Sequence, residues 1–227
     1  MALAGSVLAE DTWVQSGSIT LDYTNAPRHV EGDATLYNYL YGVFQQGGSL
    51  TFATSITWDG TNCNAYQSIL HVGRGTYGGT ATGFSIYANG GPNLIVTERE
   101  NTGSEHEATI KMIEDVANDV IITLTGLPET GSATASITIN GEKQSVKNLT
   151  WDNMAWDTSE NEADRLKERI KYSLGQKAPG YSDNLIRNLT IDSMTVTYTA
   201  APSIPEPATA TLSLLALCGL ASRRRRK

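Results

Sequence analysis

The stretch ASITINGEKQSV, residues 135–146, decides the fold. Ile137 and Ile139 alternate with small polar residues, which is the period-two pattern of a half-buried strand. Asn140-Gly141 follows, two residues that tolerate positive φ. A two-residue turn of that kind predicts a type I′ hairpin between antiparallel strands.

The same alternation recurs outward in both directions. Leu50, Phe52, Ile56 and Trp58 share one parity in SLTFATSITWD, residues 50, 52, 56 and 58 of the chain. Phe84, Ile86 and Ala88 repeat it, as do Val120, Ile122 and Leu124, Tyr172 and Leu174, and Ile19, Leu21 and Tyr23. In NLTIDSMTVTY the apolar parity switches: Leu189 and Ile191 are odd, Met194, Val196 and Tyr198 even. A switch at Asp192-Ser193 predicts a bulge or bend. One segment breaks the pattern. DTSENEADRLKERI pairs Ser159 with Glu162 as a capping box and spaces Ala163, Leu166 and Ile170 helically, predicting a short surface helix over Glu160–Lys167. EHEATIKMIEDVAND reads equally as strand or helix. Many short strands with one minor helix predict an all-β chain, a two-sheet antiparallel β-sandwich.

Bulk composition narrows the function. The chain has 227 residues and a formal net charge of -7. Without Arg223–Lys227 and Glu206 the body carries 23 acids against 12 cations. An acidic body excludes nucleic acid as the expected partner, because phosphate demands a basic face. Cys63 is the one cysteine of the body and Cys218 lies in the tail, so no internal staple is expected within the body.

Both ends read as addresses. Val7 and Ala9 stand at -3 and -1 before Glu10, as at the close of a secretory signal peptide, so residues 1–9 are expected to be its remnant. A basic leader region is missing, and the true start is expected upstream. At the other end an apolar run, Ala208–Ser222, would reach ~22 Å as a helix, short of a ~30 Å hydrocarbon core. Pro205-Glu206-Pro207, the run, and then Arg223, Arg224, Arg225, Arg226 and Lys227 resemble a PEP-CTERM sorting signal, here assigned to residues 201–227. The resemblance implies export, transient residence in the inner membrane through an apolar tail helix, processing by an exosortase, and delivery to the cell surface or extracellular matrix. The apolar run is short for that family.

The body, residues 10–200, resembles the concanavalin A-like (laminin-G and legume-lectin) jelly roll. The likeness is carried by DVIITLTG, ASITINGEKQS and YSLGQKAPGYSDNLIRNLTIDSMTVTY. That class hosts glycan binders and glycosidases alike, so fold does not settle function. A retaining glycosidase needs two carboxylates about 5 Å apart. The Glu-x-Asp-x-x-Glu string that would supply them is absent, and Glu98 and Glu100 sit at a charged strand end. His29, His71 and His106 are scattered, and no nucleophile elbow or phosphate loop is present. No catalytic residue is therefore assigned, and the chain is expected to be non-enzymatic.

Aromatic residues beside Asp and Asn are the remaining signal. Sugar rings stack on Trp or Tyr, and their hydroxyls bond short polar side chains. Trp58, Asp59 and Asn62, with Asn64 and Tyr66, form one such group. Trp151, Asp152, Asn153 and Trp156 form a second, and Tyr181 and Asp183 a third. The same oxygens could hold calcium. The plainer reading is that Trp58 is core and that loop Asp and Asn make turns. The sequence thus predicts an exported, carbohydrate-binding surface protein with a glycan or matrix partner. A purely structural surface protein and a diverged glycoside hydrolase or lyase are the alternatives.

Overall fold

The computed structural model describes residues 13–61, 67–75, 81–89, 93–99, 106–150, 171–176 and 186–202. Its elements are β1 (Gly17–Asp22), β2 (Arg28–Glu31), α1 (Thr35–Gln46), β3 (Ser49–Trp58), β4 (Gln67–Gly75), β5 (Ala81–Asn89), β6 (Asn93–Arg99), β7 (His106–Lys111), β8 (Ala117–Leu127), β9 (Ser132–Ile139), β10 (Glu142–Thr150), β11 (Lys171–Leu174) and β12 (Leu189–Thr199). A short 3-10 turn covers Pro128–Thr130.

Two six-stranded antiparallel sheets result. One runs β1-β12-β3-β8-β9-β10 and the other β2-β11-β4-β5-β6-β7. The chain is all-β in class, a two-sheet β-sandwich as the alternation predicted. It passes back and forth between the sheets, so each sheet mixes strands from both ends of the sequence.

The quoted hairpin is present. Asn140 and Gly141 have φ of 51° and 85°, and Glu142 pairs with Ile139. The Asn140 side chain adds to the turn: its Oδ1 accepts from the Asp119 amide at 3.0 Å, and its Nδ2 donates to Asn118 Oδ1 at 2.8 Å. Asn118 is fully buried and donates in turn to the carbonyls of Ile113 (2.9 Å) and Val116 (2.8 Å). That one amide ties the turn before β8 to the hairpin. A buried amide must find partners or cost free energy, and this one finds five. The parity switch in β12 is also present, as an irregularity between Ile191 and Met194 against β3. The ambiguous segment resolves into β7, a turn with Asp115 at φ 52°, and the start of β8.

The core lies between the sheets. Leu50, Phe52 and Ile56 of β3 and Val120, Ile122 and Leu124 of β8 face Val72, Phe84, Ile86, Leu94 and Val96 of the opposite sheet, all buried. The rings of Phe52 and Phe84 stack across the gap, centroids 5.4 Å apart. Each such side chain contributes ~1.5–3 kcal/mol through burial.

The helix α1 was not among the expectations. The predicted helix over Glu160–Lys167 and the tail helix lie outside the described residues, and α1 falls between the alternating stretches at residues 19–23 and 50–58, where no element was assigned. Its pattern is nonetheless regular: Leu36, Tyr39, Leu40, Val43 and Phe44 are buried at helical spacing. Asp33 Oδ1 accepts from the Thr35 amide at 2.8 Å at its start. Gly47, at φ 75°, ends it: Gly47 N–H donates to Val43 O (3.1 Å) and Gly48 N–H to Gly42 O (3.0 Å). The helix presses onto β8 at Gly126, where a Cβ would fall on the Val43 carbonyl. Among the described residues no helix is long and apolar enough to cross a membrane.

Candidate functional site

The segment before β1 and the outer face of α1 enclose a groove of about 470 Å³. It is lined by Trp13, Val14, Gln15, Thr35, Asn38, Tyr39 and Tyr41. Helical periodicity explains the contribution of α1. Turning Leu36, Leu40 and Val43 inward leaves Asn38 exposed and Tyr41 half-buried on the other side.

The groove wall is fixed at several points. The Val14 amide donates to Gln46 Oε1 at the end of α1 (2.9 Å), and the Ala200 amide donates to Ser16 Oγ (2.9 Å). Tyr39 is buried and stacks on Tyr198 of β12, centroids 5.1 Å apart and planes 14° from parallel. Its hydroxyl fills the space where a Cβ on Gly17 would stand. Trp13, by contrast, is 46% exposed, a large apolar surface at the groove edge. The described lining residues carry no charge. The nearest helix N-terminus is already engaged by the Asp33 carboxylate. Aromatic faces with amide and hydroxyl groups around them suit a neutral, polyhydroxylated ligand, and the volume falls in the usual range for small-molecule pockets.

Of the sequence candidates, Trp58 and Asp59 are described. Trp58 is half-buried and packs against the core, with its indole N–H donating to Thr61 O at 3.1 Å. Asp59 makes a turn: its Oδ1 accepts from the Thr61 amide (2.8 Å), and Asn188 Nδ2 lies 3.3 Å away. The Thr61 amide holds the Asp59 carboxyl below the usual carboxylate range. This pair therefore forms a closed loop at the rim. Asn62, Asn64, Tyr66, Trp151, Asp152, Asn153, Trp156, Tyr181 and Asp183 lie outside the described residues, as do Glu100 and the sorting motif from Pro205 to Lys227. Glu98 lies in β6, in register with Phe84. Among the described residues no three His, Cys, Asp or Glu side chains are grouped to hold a metal ion.

The scattered histidines are brought into line by the second sheet. His29, Ser173, His71 and Ser85 pair in register across β2, β11, β4 and β5. His29 Nδ1 meets Ser173 Oγ at 2.9 Å, and His71 Nδ1 meets Ser85 Oγ at 2.6 Å. His29 Nε2 lies 3.3 Å from Glu31. Ser173 and His71 are both 1% exposed, so the middle of this row is buried.

The groove was missed because its parts come from an unrecognised helix. The signal was present in DATLYNYLYGVFQQGG, where an apolar helical stripe leaves Asn38 and Tyr41 on the opposite side.

No protein-family model and no curated protein matches the chain. Among solved structures it is similar to the CBM40 of the Ruminococcus gnavus IT-sialidase bound to α2,3-sialyllactose, at 18% identity over 84% of this chain and 91% of that one, TM-score 0.47. It is also similar to the K499G mutant of NanB sialidase from Streptococcus pneumoniae, at 16% identity over 86% and 27%, TM-score 0.44. A sialidase of Trypanosoma rangeli in complex with sialic acid aligns at 10% identity over 66% and 20%, TM-score 0.42. At these values no ligand and no residue role transfers to this chain.

Proposed function

We propose that this chain is an exported, non-enzymatic cell-surface or matrix protein that binds neutral glycans in the groove between Trp13 and α1. One observation carries the reading: an exposed tryptophan stands beside Tyr39 and Tyr41 and beside the side-chain amides of Gln15 and Asn38, in a groove whose described lining is uncharged. A carboxylated sugar would call for a cation there. A neutral pyranose needs what is present, an apolar face to stack on and amides to bond its hydroxyls.

The test is titration of the protein with neutral and acidic oligosaccharides, read by tryptophan fluorescence and calorimetry. Neutral sugars should bind, and Trp13→Ala should weaken them at least about tenfold, the loss of one stacking platform. An empty glycan array, or a Trp13→Ala variant that binds as well as the parent, would sink the groove and favour a purely structural surface protein.

Delivery belongs to the same proposal. The order of Pro205-Glu206-Pro207, apolar run and Arg223–Lys227 supports exosortase sorting. Replacing the five cations by Gln should leave an unprocessed or misrouted form, and unchanged processing and display would overturn it.

A further inference from the structure

The solvent side of the first sheet carries rows of hydroxyl groups. Ser18, Thr197, Thr51, Thr123 and Ser136 are aligned in register across β1, β12, β3, β8 and β9. A second row runs Thr20, Thr195, Ala53, Ile121, Thr138 and Lys143, reaching β10. A third runs Thr199, Ser49, Thr125 and Thr134. Twelve of these fifteen positions are Ser or Thr, and the single ionisable residue among them is Lys143 on the edge strand; the hydroxyl rows end at the next row of the same face, where Asp22 pairs with Ser193 and Ser55 with Asp119.

This composition is not that of an ordinary exposed sheet. A soluble surface is roughly 25–35% charged, so fifteen positions would carry about four charges. The opposite parity of each strand explains why hydroxyls stand here at all: Ile19, Phe52, Ile122, Ile137 and Val196 face inward, and Thr is the β-branched residue that fits the outer face. Strand propensity does not explain the loss of charge. Ser18 and Thr197 share a 3.2 Å contact, and the row is exposed at β1 and β12 and half-buried in the middle strands. Ile121, at 43% exposure, adds an apolar surface to the second row. A shallow hollow of about 320 Å³ lies over Thr123, Thr125, Thr134, Ser136, Thr138 and Lys143.

We infer that this face is a second binding surface, and that its ligand is a linear neutral polysaccharide lying across the strands. The inference takes its ligand class from the glycan reading above but uses none of the groove residues. Three features select the ligand. With Lys143 the one cation of the three rows and Asp22 and Asp119 bordering them, the face disfavours anionic polymers, and the chain's net charge of -7 works against them too. The step between strands is ~4.8 Å, close to the length of one pyranose ring, so an extended chain meets one strand per sugar. Sheets twist by roughly 20–25° per strand, which breaks any two-dimensional match to a crystal face or to ice. The line across the strands stays nearly straight, and a one-dimensional polymer can follow it.

The experiment is affinity electrophoresis of the full chain in native gels containing hydroxyethylcellulose, barley β-glucan or galactomannan, with carboxymethylcellulose as the anionic control. At least one neutral polymer should retard the protein, and the anionic one should not. Thr51→Val/Thr123→Val/Thr197→Val keeps shape and strand propensity while removing three hydroxyls, and it should weaken retardation about tenfold or more. Should that variant fold poorly, Thr123→Lys places a charge in the row and should abolish retardation alone. Trp13→Ala should lose short oligosaccharides yet keep polymer retardation. Wild-type retardation in both row variants, no retardation by any neutral polymer, or ice shaping by the protein would each overturn the inference. In that case oligosaccharide binding at Trp13 still stands or falls by its own titration.

Discussion

Gly42 of α1 lies so close to Tyr198 of β12 that a Cβ on the glycine would overlap the phenol ring. Tyr198 also stacks on Tyr39, one turn earlier in the helix, so a single ring sets both the height and the rotation of α1 on the sheet. Alanine normally stabilises a helix interior by up to about 1 kcal/mol relative to glycine. Here Gly42→Ala should reverse that sign and cost about 1–2 kcal/mol net, because overpacking outweighs propensity. Urea unfolding measures it, and a variant as stable as the parent would show that α1 does not dock through this contact.

The hairpin turn gives a cleaner backbone test. A Cβ on Gly141 meets nothing within 4 Å, so there is no clash to confuse the result. The only penalty for Gly141→Val is conformational, a β-branched residue forced to φ near 85°. A loss of about 1 kcal/mol or more in melting or denaturant experiments is expected, and unchanged stability would speak against the type I′ geometry.

These two glycines also mark what the sequence disclosed. Gly141 was legible because its role is local: Asn-Gly between alternating strands needs no knowledge of the rest of the chain. The bulge near Asp192-Ser193 was legible for the same reason, as a parity switch within one strand. Gly42 and Gly126 were not. Their need for a bare Cα comes from Tyr198 and from the Val43 carbonyl, contacts between elements far apart in sequence. The groove shares that fate. Trp13 reads as an ordinary residue near a terminus until the helix that faces it is recognised, and the Ser and Thr rows read as strand filler until the register aligns them. The missing information was the docking of α1 for Gly42, Gly126 and the groove, and the strand register for the rows.

Alkaline pH should weaken the fold through buried phenols. Tyr23 is buried, and its hydroxyl donates to Ile69 O at 2.9 Å. Burial pushes its phenol well above the ordinary value of 10.0, and the neighbouring Tyr172 adds to the shift. Burial raises Tyr172 and Tyr198 in the same direction. A folded pKa above the unfolded one means that the stabilisation is complete below the unfolded value near 10 and is lost as pH rises beyond it. The denaturation midpoint should therefore hold to about pH 9 and fall above about pH 10. Tyr23→Phe should flatten that fall at a cost of about 1 kcal/mol at neutral pH. A midpoint indifferent to pH up to about 11 would contradict the burial of these phenols.

Two tryptophans divide the labour between stability and binding. Trp58 packs against the core, and its indole N–H closes the loop at Thr61. Its carbonyl also accepts from the Asp115 amide at 2.9 Å, linking β3 to the turn before β8. Trp58→Ala should thus cost about 2 kcal/mol, below the 3–5 kcal/mol of a fully buried tryptophan because the ring is half exposed. It should leave saccharide affinity unchanged. Trp13 is bound to the body through its neighbour Val14 and exposes nearly half its surface. Trp13→Ala should shift stability by no more than about 0.5 kcal/mol while abolishing the groove's contribution to binding. The two variants, melted and titrated side by side, decide the assignment. If Trp58→Ala loses the sugar and keeps the fold, the binding surface lies at the Trp58–Asp59 rim and not in the groove beside α1.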